Sequence, residues 1–249
     1  MDLLSLLGIF IAFGAIVTGN LLDGGALAPL LNIPAALVVF GGTIGAIVLQ
    51  TPFRILRRGV SLLGWIIFPP RVSQKDLLSR ILNISKVARR DGILGLEEIG
   101  LKEKDRILRK GLLLLSDGFE PERIRRQLEE DIGHAEQRDI RAASIFDHMG
   151  GYAPTIGIIG AVMGLIQVMS HLDQPEKVGS GIATAFVATI YGVGFANLLL
   201  FPVAGKLREL IREIISSEIL TLEGIVAIAE GEHPSSIESR LRGMSGMST

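Results

Sequence analysis

The side chains able to do chemistry are few and lie far apart. His134, His148, His171 and His233 are scattered, and there is no cysteine, so neither a zinc-binding spacing nor a disulfide framework can be built. Gly41, Gly42 and Thr43 sit inside an uncharged apolar stretch, which excludes a phosphate loop, and no P-loop spacing occurs elsewhere. An enzyme is therefore the weakest class, and no cofactor or metal is expected. What remains is a sparse polar set embedded in apolar sequence. Pro154, Gly157, Ala161 and Gly164 recur at spacings of three and four, as do Gly181, Ala185, Thr189, Gly192 and Ala196, so each set shares one face of a helix. Small faces let helix backbones approach closely in lipid. They serve either packing within this chain or reception of another subunit's helix. Pro154 and Pro202 each free a carbonyl and can bend a helix.

The elements that carry these residues are membrane spans. A helix crosses the hydrocarbon core with about 20 apolar residues. Residues 3–22, 149–170 and 178–205 carry no Asp, Glu, Lys or Arg, and neither does the stretch after Asp23 up to Phe53, which Pro29, Asn32 and Pro34 interrupt. The sequence predicts four spans in two hairpins, at about 3–22, 34–50, 150–171 and 178–204. A mean hydropathy of +0.46 agrees. The N-terminal run lacks a basic flank and a small-residue cleavage site, and reads as a retained helix. Because the spans contain no Asp, Glu, Lys or Arg, any proton relay through this protein needs a titrating group from another chain.

Most of the 25 Lys and Arg lie between residues 51 and 147, and most of the others follow Gly205, whereas the first hairpin tip has none and the second only Lys177. The basic segments mark the cytoplasmic side, with Arg54, Arg57 and Arg58 next to the membrane. Both termini then face the cytoplasm. Residues 51–148 form a helical cytoplasmic domain: Leu77, Leu78, Ile81 and Leu82 recur at helical spacing, as do Ile124, Leu128, Ile132 and Ala135. The segment 59–70, with Trp65, is expected at the membrane surface. Residues 206–249 form a cytoplasmic helix and tail continuing the fourth span. The expected fold is an all-α membrane protein with a four-span layout and a helical domain between the second and third spans.

The runs APTIGIIGAVMGL at 153–165 and GSGIATAFVATIYGVGFANLLLFP at 179–202 resemble the MotA/PomA family of flagellar stator subunits, within the MotA/TolQ/ExbB superfamily. LVVFGGTIGA at 37–46 and ARRDGILGLEE at 88–98 support the resemblance, which covers nearly the whole chain and points to a PomA-like or MotC-like branch. Gly194 departs from the pattern, where a bulkier aliphatic residue is expected.

The resemblance implies a ring of several copies, five in the family, in the bacterial inner membrane around two copies of a MotB/PomB-like partner. That partner has one span bearing an aspartate and a peptidoglycan-binding domain. Ion flow between its helix and the third and fourth spans would turn the ring against the rotor protein FliG, driving motility. Carried over residue by residue, Thr189 would line the ion path. Pro154 and Pro202 would couple conformation to ion flow, and Gly157, Gly164, Ala185 and Gly192 would pack against the partner helix. Arg89 and Glu97 would meet the rotor, with Arg90, Asp91 and Glu98 close enough to share that role. Sodium-driven members have a threonine where this chain has Ala161. Sodium must exchange hydration water for oxygen ligands, and a methyl group cannot supply one. The transported ion is therefore expected to be the proton, with sodium the alternative. The lipid bilayer is an expected partner and nucleic acid is not. A TolQ/ExbB-like envelope energiser is built with three spans, and a solute transporter would need a polar midplane site, so both stand behind the stator reading.

Overall fold

The computed structural model describes residues 2–70 and 73–245; the side chains of Leu6, Glu176, Lys177 and Ser245 lie outside the description. Every regular element among the described residues is helical. In chain order these are α1 (Leu3–Leu22), α2 (Ile33–Ala36), α3 (Gly42–Gln50), α4 (Phe53–Leu62), α5 (Gly64–Ile67), α6 (Gln74–Asp91), α7 (Glu97–Lys102), α8 (Arg106–Ser116), α9 (Pro121–Ser170), α10 (Pro175–Phe195), α11 (Phe201–Ala229) and α12 (Pro234–Ser245). A π-helical turn, Leu37–Gly41, joins α2 to α3, and another, Ala196–Leu200, joins α10 to α11. Four helical stretches are long and apolar enough to cross a membrane: Leu3–Leu22, Ala28–Gln50, and parts of Pro121–Ser170 and Val178–Ala229. The third and fourth extend well beyond the residues expected to lie in lipid.

The chain divides into two compact units, one of residues 1–69 and 139–209, the other of 70–138 and 210–249. This boundary differs from the sequence-based one at 51, 148 and 206. Two of its three breaks fall inside the continuous helices α9 and α11, and the third falls between α5 and α6.

The first unit holds the spans. Asp2 caps α1 by accepting from the Leu4 and Ser5 amides at 3.1 and 3.3 Å, and it also pairs with Lys206. Asn32 caps α2 by accepting from the Ala35 amide at 3.0 Å, with Pro34 in the first turn, so the residues that interrupt the apolar stretch also start the second span. Ala35, Val39, Val187 and Ala188 form a core between the second and fourth spans. An added Cβ at Gly42 would meet the Ile156 side chain at 2.9 Å, and Thr43 is fully buried with its hydroxyl donating to the Val39 carbonyl at 2.6 Å. The Gly-Gly-Thr run is thus span packing. Below the spans α4 lies against α9: a Cβ at Gly59 would stand 3.0 Å from the Ala142 carbonyl oxygen. Arg58 grips Asp139 through Nε and Nη2 at 2.9 and 2.7 Å and covers the Trp65 ring at 5.2 Å.

In the second unit, α6, α8, the start of α9 and the end of α11 bury the residues that the periodicity marks, including Leu77, Ile81, Ile124, Leu128 and Ile132. Gly224 lies so close to Ile81, and Gly111 to Ile225, that a Cβ at either would overlap those side chains. Helix α12, which the periodicity did not reveal, adds buried Ile237 and Leu241. Arg240 from that helix and Arg125 from α9 converge on Glu223, with Arg125 donating at 2.5 and 3.1 Å and Arg240 at 2.5 Å.

Hydrogen bonding from Arg125 holds the Glu223 carboxyl below its ordinary value of 4.5, against the opposing effect of burial and with the help of the Arg125 and Arg240 charges. A carboxyl whose folded pKa is depressed contributes stability that is fully present above its unfolded pKa and lost as pH falls through the folded one. Glu223→Gln should therefore lower stability at neutral pH by on the order of 1–2 kcal/mol. It should also flatten the acid limb below about pH 4.5, as read by thermal unfolding in detergent across the acid range. An acid limb unchanged in the variant would show that other carboxylates set it.

Candidate functional site

The two small-residue ladders meet each other. A Cβ at Gly157 would lie 2.9 Å from the Ala188 carbonyl oxygen and 3.3 Å from Gly192 Cα. At Gly164 it would meet the Ala185 nitrogen and the Gly181 oxygen, both at 2.8 Å, and at Gly192 the Ala153 oxygen at 2.5 Å. Helices α9 and α10 are thus in backbone contact, which only glycine permits at these points. Of the two readings open for these ladders, packing within the chain holds at Gly157, Gly164, Ala185 and Gly192. Assigning these four to partner-helix packing needs correction, because their faces are already filled by this chain's own hairpin.

Thr189 stands outside that seam. It is exposed, its hydroxyl donates to the Ala185 carbonyl at 3.2 Å, and it lines an open groove of about 410 Å³ with Ile16, Ile190, Val193, Gly194, Asn197 and Leu198. Donating to the backbone leaves the hydroxyl's lone pairs directed outward, able to accept from water or to face a cation. Asn197, whose amide donates to the Val193 carbonyl at 2.9 Å, is the other polar residue of this lining. Ala161 is half-buried on α9 and does not line the groove, so Thr189 and Ala161 are not brought together there. Nothing approaches within 4 Å of a Cβ built on Gly194, which leaves room for the bulkier residue expected at that position.

The two prolines come together through their neighbours. Pro154 lies inside α9 and deprives the Gly150 carbonyl, four residues earlier, of its amide partner. A Cβ on Gly150 would stand 2.7 Å from the ring of Phe201, the residue before Pro202. Pro202 follows the Ala196–Leu200 π turn, whose last hydrogen bond runs from the Phe201 amide to the Ala196 carbonyl. A π turn accommodates the amide missing at a proline and marks a point where the helix can change its winding. Pro202 also lines a second groove of about 310 Å³ with Ser5, Gly8, Asn197 and Lys206.

Two polar straps escaped the sequence reading. The Tyr191 hydroxyl donates to the Leu30 carbonyl and receives the Asn32 amide at 3.3 Å, while the Asn32 side chain donates to Thr184 at 2.8 Å. Tyr191 stacks on Phe40 with centroids 5.7 Å apart, and Phe195 meets Phe40 edge-on at 4.9 Å. The first hairpin's tip is thus tied to the fourth span. At the other end of the second span, Gln50 bridges α3 to α9, accepting from the Tyr152 hydroxyl at 2.6 Å and meeting His148 Nδ1 at 3.0 Å. Neither strap has a signal in sequence spacing, because partners about 100 to 160 residues apart leave no local pattern.

In the second unit the charged corner between α6 and α7 resolves an ambiguity. Arg90 donates twice to Asp91, each bond 2.8 Å, and Lys102 donates to Glu98 at 2.5 Å. The hydrogen bond with Asp91, then its charge, raises Arg90; the bond from Arg90 lowers Asp91, and the bond from Lys102 lowers Glu98. Arg89 and Glu97 are exposed and have no ion pair among the described residues. Of the five charges considered for the rotor, Arg90, Asp91 and Glu98 are locally engaged, and Arg89 and Glu97 are available to another molecule.

Similarity to known proteins extends along nearly the whole chain. The motility protein A N-terminal family matches residues 6–92, and the MotA/TolQ/ExbB proton channel family matches residues 100–218. Motility protein A of Bacillus subtilis is 35% identical over 243 residues, covering 97% of this chain and 90% of that protein. The structure of C. jejuni MotAB superposes with a TM-score of 0.92 at 28% identity, over 98% of this chain and 96% of the other. The flagellar MotAB stator complex from Bacillus subtilis gives a TM-score of 0.86 at 34% identity, over 95% and 93%. Four apolar spans free of charge, a glycine-seamed hairpin and this full-length similarity place the chain in the motility protein A family, within the MotA/TolQ/ExbB proton channel family.

Proposed function

We propose that the chain is the ring-forming stator subunit of a flagellar motor. It works in the inner membrane with both termini in the cytoplasm, as five copies around two copies of a single-span, peptidoglycan-anchored partner. The observation that carries the reading is a nearly full-length match to stator complexes in a chain whose spans hold no Asp, Glu, Lys or Arg. Such a chain can shape an ion path but cannot by itself relay protons through titration. The partner supplies the carboxylate, and Thr189 and Asn197 supply polar contacts along the groove. Protonation of the carboxylate removes its charge and so changes how it fits against the ring. The turns at Pro154 and Pro202, joined through Gly150 and Phe201, pass that change to the segments outside the membrane. Arg89 and Glu97 press on the rotor protein FliG.

Charge reversal tests the last step. Arg89→Glu or Glu97→Lys should reduce motor torque several-fold while leaving membrane level and partner binding normal, because each would oppose a rotor charge at every step. Arg90→Glu and Glu98→Lys should do less, since those side chains are held by Asp91 and Lys102. The readout is stall torque of single motors. Wild-type torque in both reversals of the free pair would remove the corner from the rotor contact.

A further inference from the structure

The second unit hides its large apolar side chains well, with one concentrated exception. Of the large hydrophobics exposed there, Ile93, Leu94 and Leu101 fall within nine residues of one another, and the only others are Ile219 and Met244 among the described residues. Ile93 and Leu94 lie in the turn between α6 and α7, and Leu101 lies near the end of α7. Gly92, at φ +76°, ends α6 and turns the chain sharply, and a single 3-10 turn, Ile93–Leu96, leads into α7. Leu96 is fully buried and fixes the turn, whereas Leu94 is 77% exposed at its tip. One exposed leucine needs no explanation, but three large exposed apolar side chains along one turn and the short helix that follows it do. A polar residue at position 94 would satisfy the turn equally well, because the Leu94 side chain contributes no packing that the fold requires.

We propose that Ile93, Leu94 and Leu101 form the apolar centre of the surface that grips the rotor, with Arg89 and Glu97 as its charged rim. The occupant is a helix of the rotor assembly that presents an apolar side chain between an acid facing Arg89 and a base facing Glu97. The commitment follows from charge complementarity. The two rim charges are of opposite sign, lie on either side of Leu94 in the chain, and are the ones left unpaired, while their neighbours Arg90 and Glu98 are neutralised locally. A wet ion pair alone is worth little, and a contact that transmits torque needs desolvated area at its centre. Leu94 supplies that area, and excluding water around it strengthens the rim pairs. This proposal rests on the stator reading and adds the chemistry of the contact to it.

The test uses cells lacking their own stators, with this chain and its partner as the sole stator pair, and reads stall torque of bead-loaded motors. Leu94→Ser and Leu94→Gln should lower the equilibrium for engagement roughly tenfold, the expected consequence of losing one buried leucine at a contact. Stall torque should fall at least about twofold. Leu94→Met should retain torque, since it restores apolar volume. Thermal unfolding, membrane level and partner co-purification of all three should match wild type. Binding of the purified stator complex to the isolated rotor assembly separates the two kinds of contact. The Leu94→Ser deficit should persist in high salt, and the Arg89→Glu deficit should shrink. Wild-type torque in both Leu94→Ser and Leu94→Gln would overturn the apolar centre and leave the stator reading intact. Absence of rotation with the wild-type chain would overturn the stator reading and the docking surface with it.

Discussion

Gly192→Val should abolish motility and deplete the assembled complex from the membrane, while the same substitution at Gly194 should leave both nearly intact. A Cβ at position 192 would stand 2.5 Å from the Ala153 carbonyl oxygen and 3.1 Å from Gly157 Cα, and both are backbone atoms that no rotamer change can move aside. Separating α9 from α10 to admit it would break the seam that also runs through Gly164 and Gly181. Overpacking a flexible core costs about 1–3 kcal/mol, and a backbone-to-backbone seam lies at or above the upper end. At Gly194 nothing lies within 4 Å, so a side chain enters open space. Alanine makes the finer comparison. Gly194→Ala should be neutral or slightly stabilising, because alanine favours a helix over glycine by about 1 kcal/mol, whereas Gly192→Ala should already reduce the complex. Swimming-ring diameter and membrane-bound protein are the readouts. Equal behaviour at the two positions would contradict the seam.

Thr189→Val should slow the motor by about tenfold without reducing the amount of stator in the membrane. Valine matches threonine in shape and removes only the hydroxyl. The lost hydrogen bond to a passing ion or water is worth on the order of 1–1.5 kcal/mol, and 1.4 kcal/mol is a factor of ten. Thr189→Ser should recover most of the speed. The outcome at Ala161 is expected to differ from the simple sequence argument. Because Ala161 does not line the Thr189 groove, Ala161→Thr alone should not make rotation depend on sodium. On the proposed reading, the one hydroxyl and one amide that this chain lends the groove are too few to replace a sodium ion's hydration shell, whereas a proton would need only water and the carboxylate proposed for the partner. Speed at fixed proton-motive force should stay flat as external sodium is varied. A Thr189→Val motor at full speed would remove the hydroxyl from the ion path.

The four spans were legible because charge exclusion over about 20 residues is a physical requirement of lipid and leaves a local record. The periodicity of Leu77 and Ile81 on α6, and of Ile124 and Leu128 on α9, likewise followed from burial of one helical face. The glycine ladders were visible, but their occupant was not. Spacing shows that a small face exists, while only coordinates show that Gly157 faces Ala188 rather than another chain. The role of Tyr191 left no mark in the sequence, because its partners Leu30 and Asn32 lie on another hairpin. The separation of Arg89 from Arg90, and of Glu97 from Glu98, needed side-chain geometry too, since adjacent like charges have the same pattern until one of each pair is seen to be engaged.

A chain with no Asp, Glu, Lys or Arg in its spans must turn the motor with an acid it does not carry. That requirement is tested by rotation speed of single motors in cells deleted for their own stators and supplied with this chain, alone or with its single-span partner. The chain alone should give no rotation, and with the intact partner rotation should be steady, at a speed proportional to proton-motive force. Rotation should also cease when the aspartate proposed for the partner's membrane helix is changed to asparagine. Rotation without the partner, or undiminished by loss of that aspartate, would contradict that requirement.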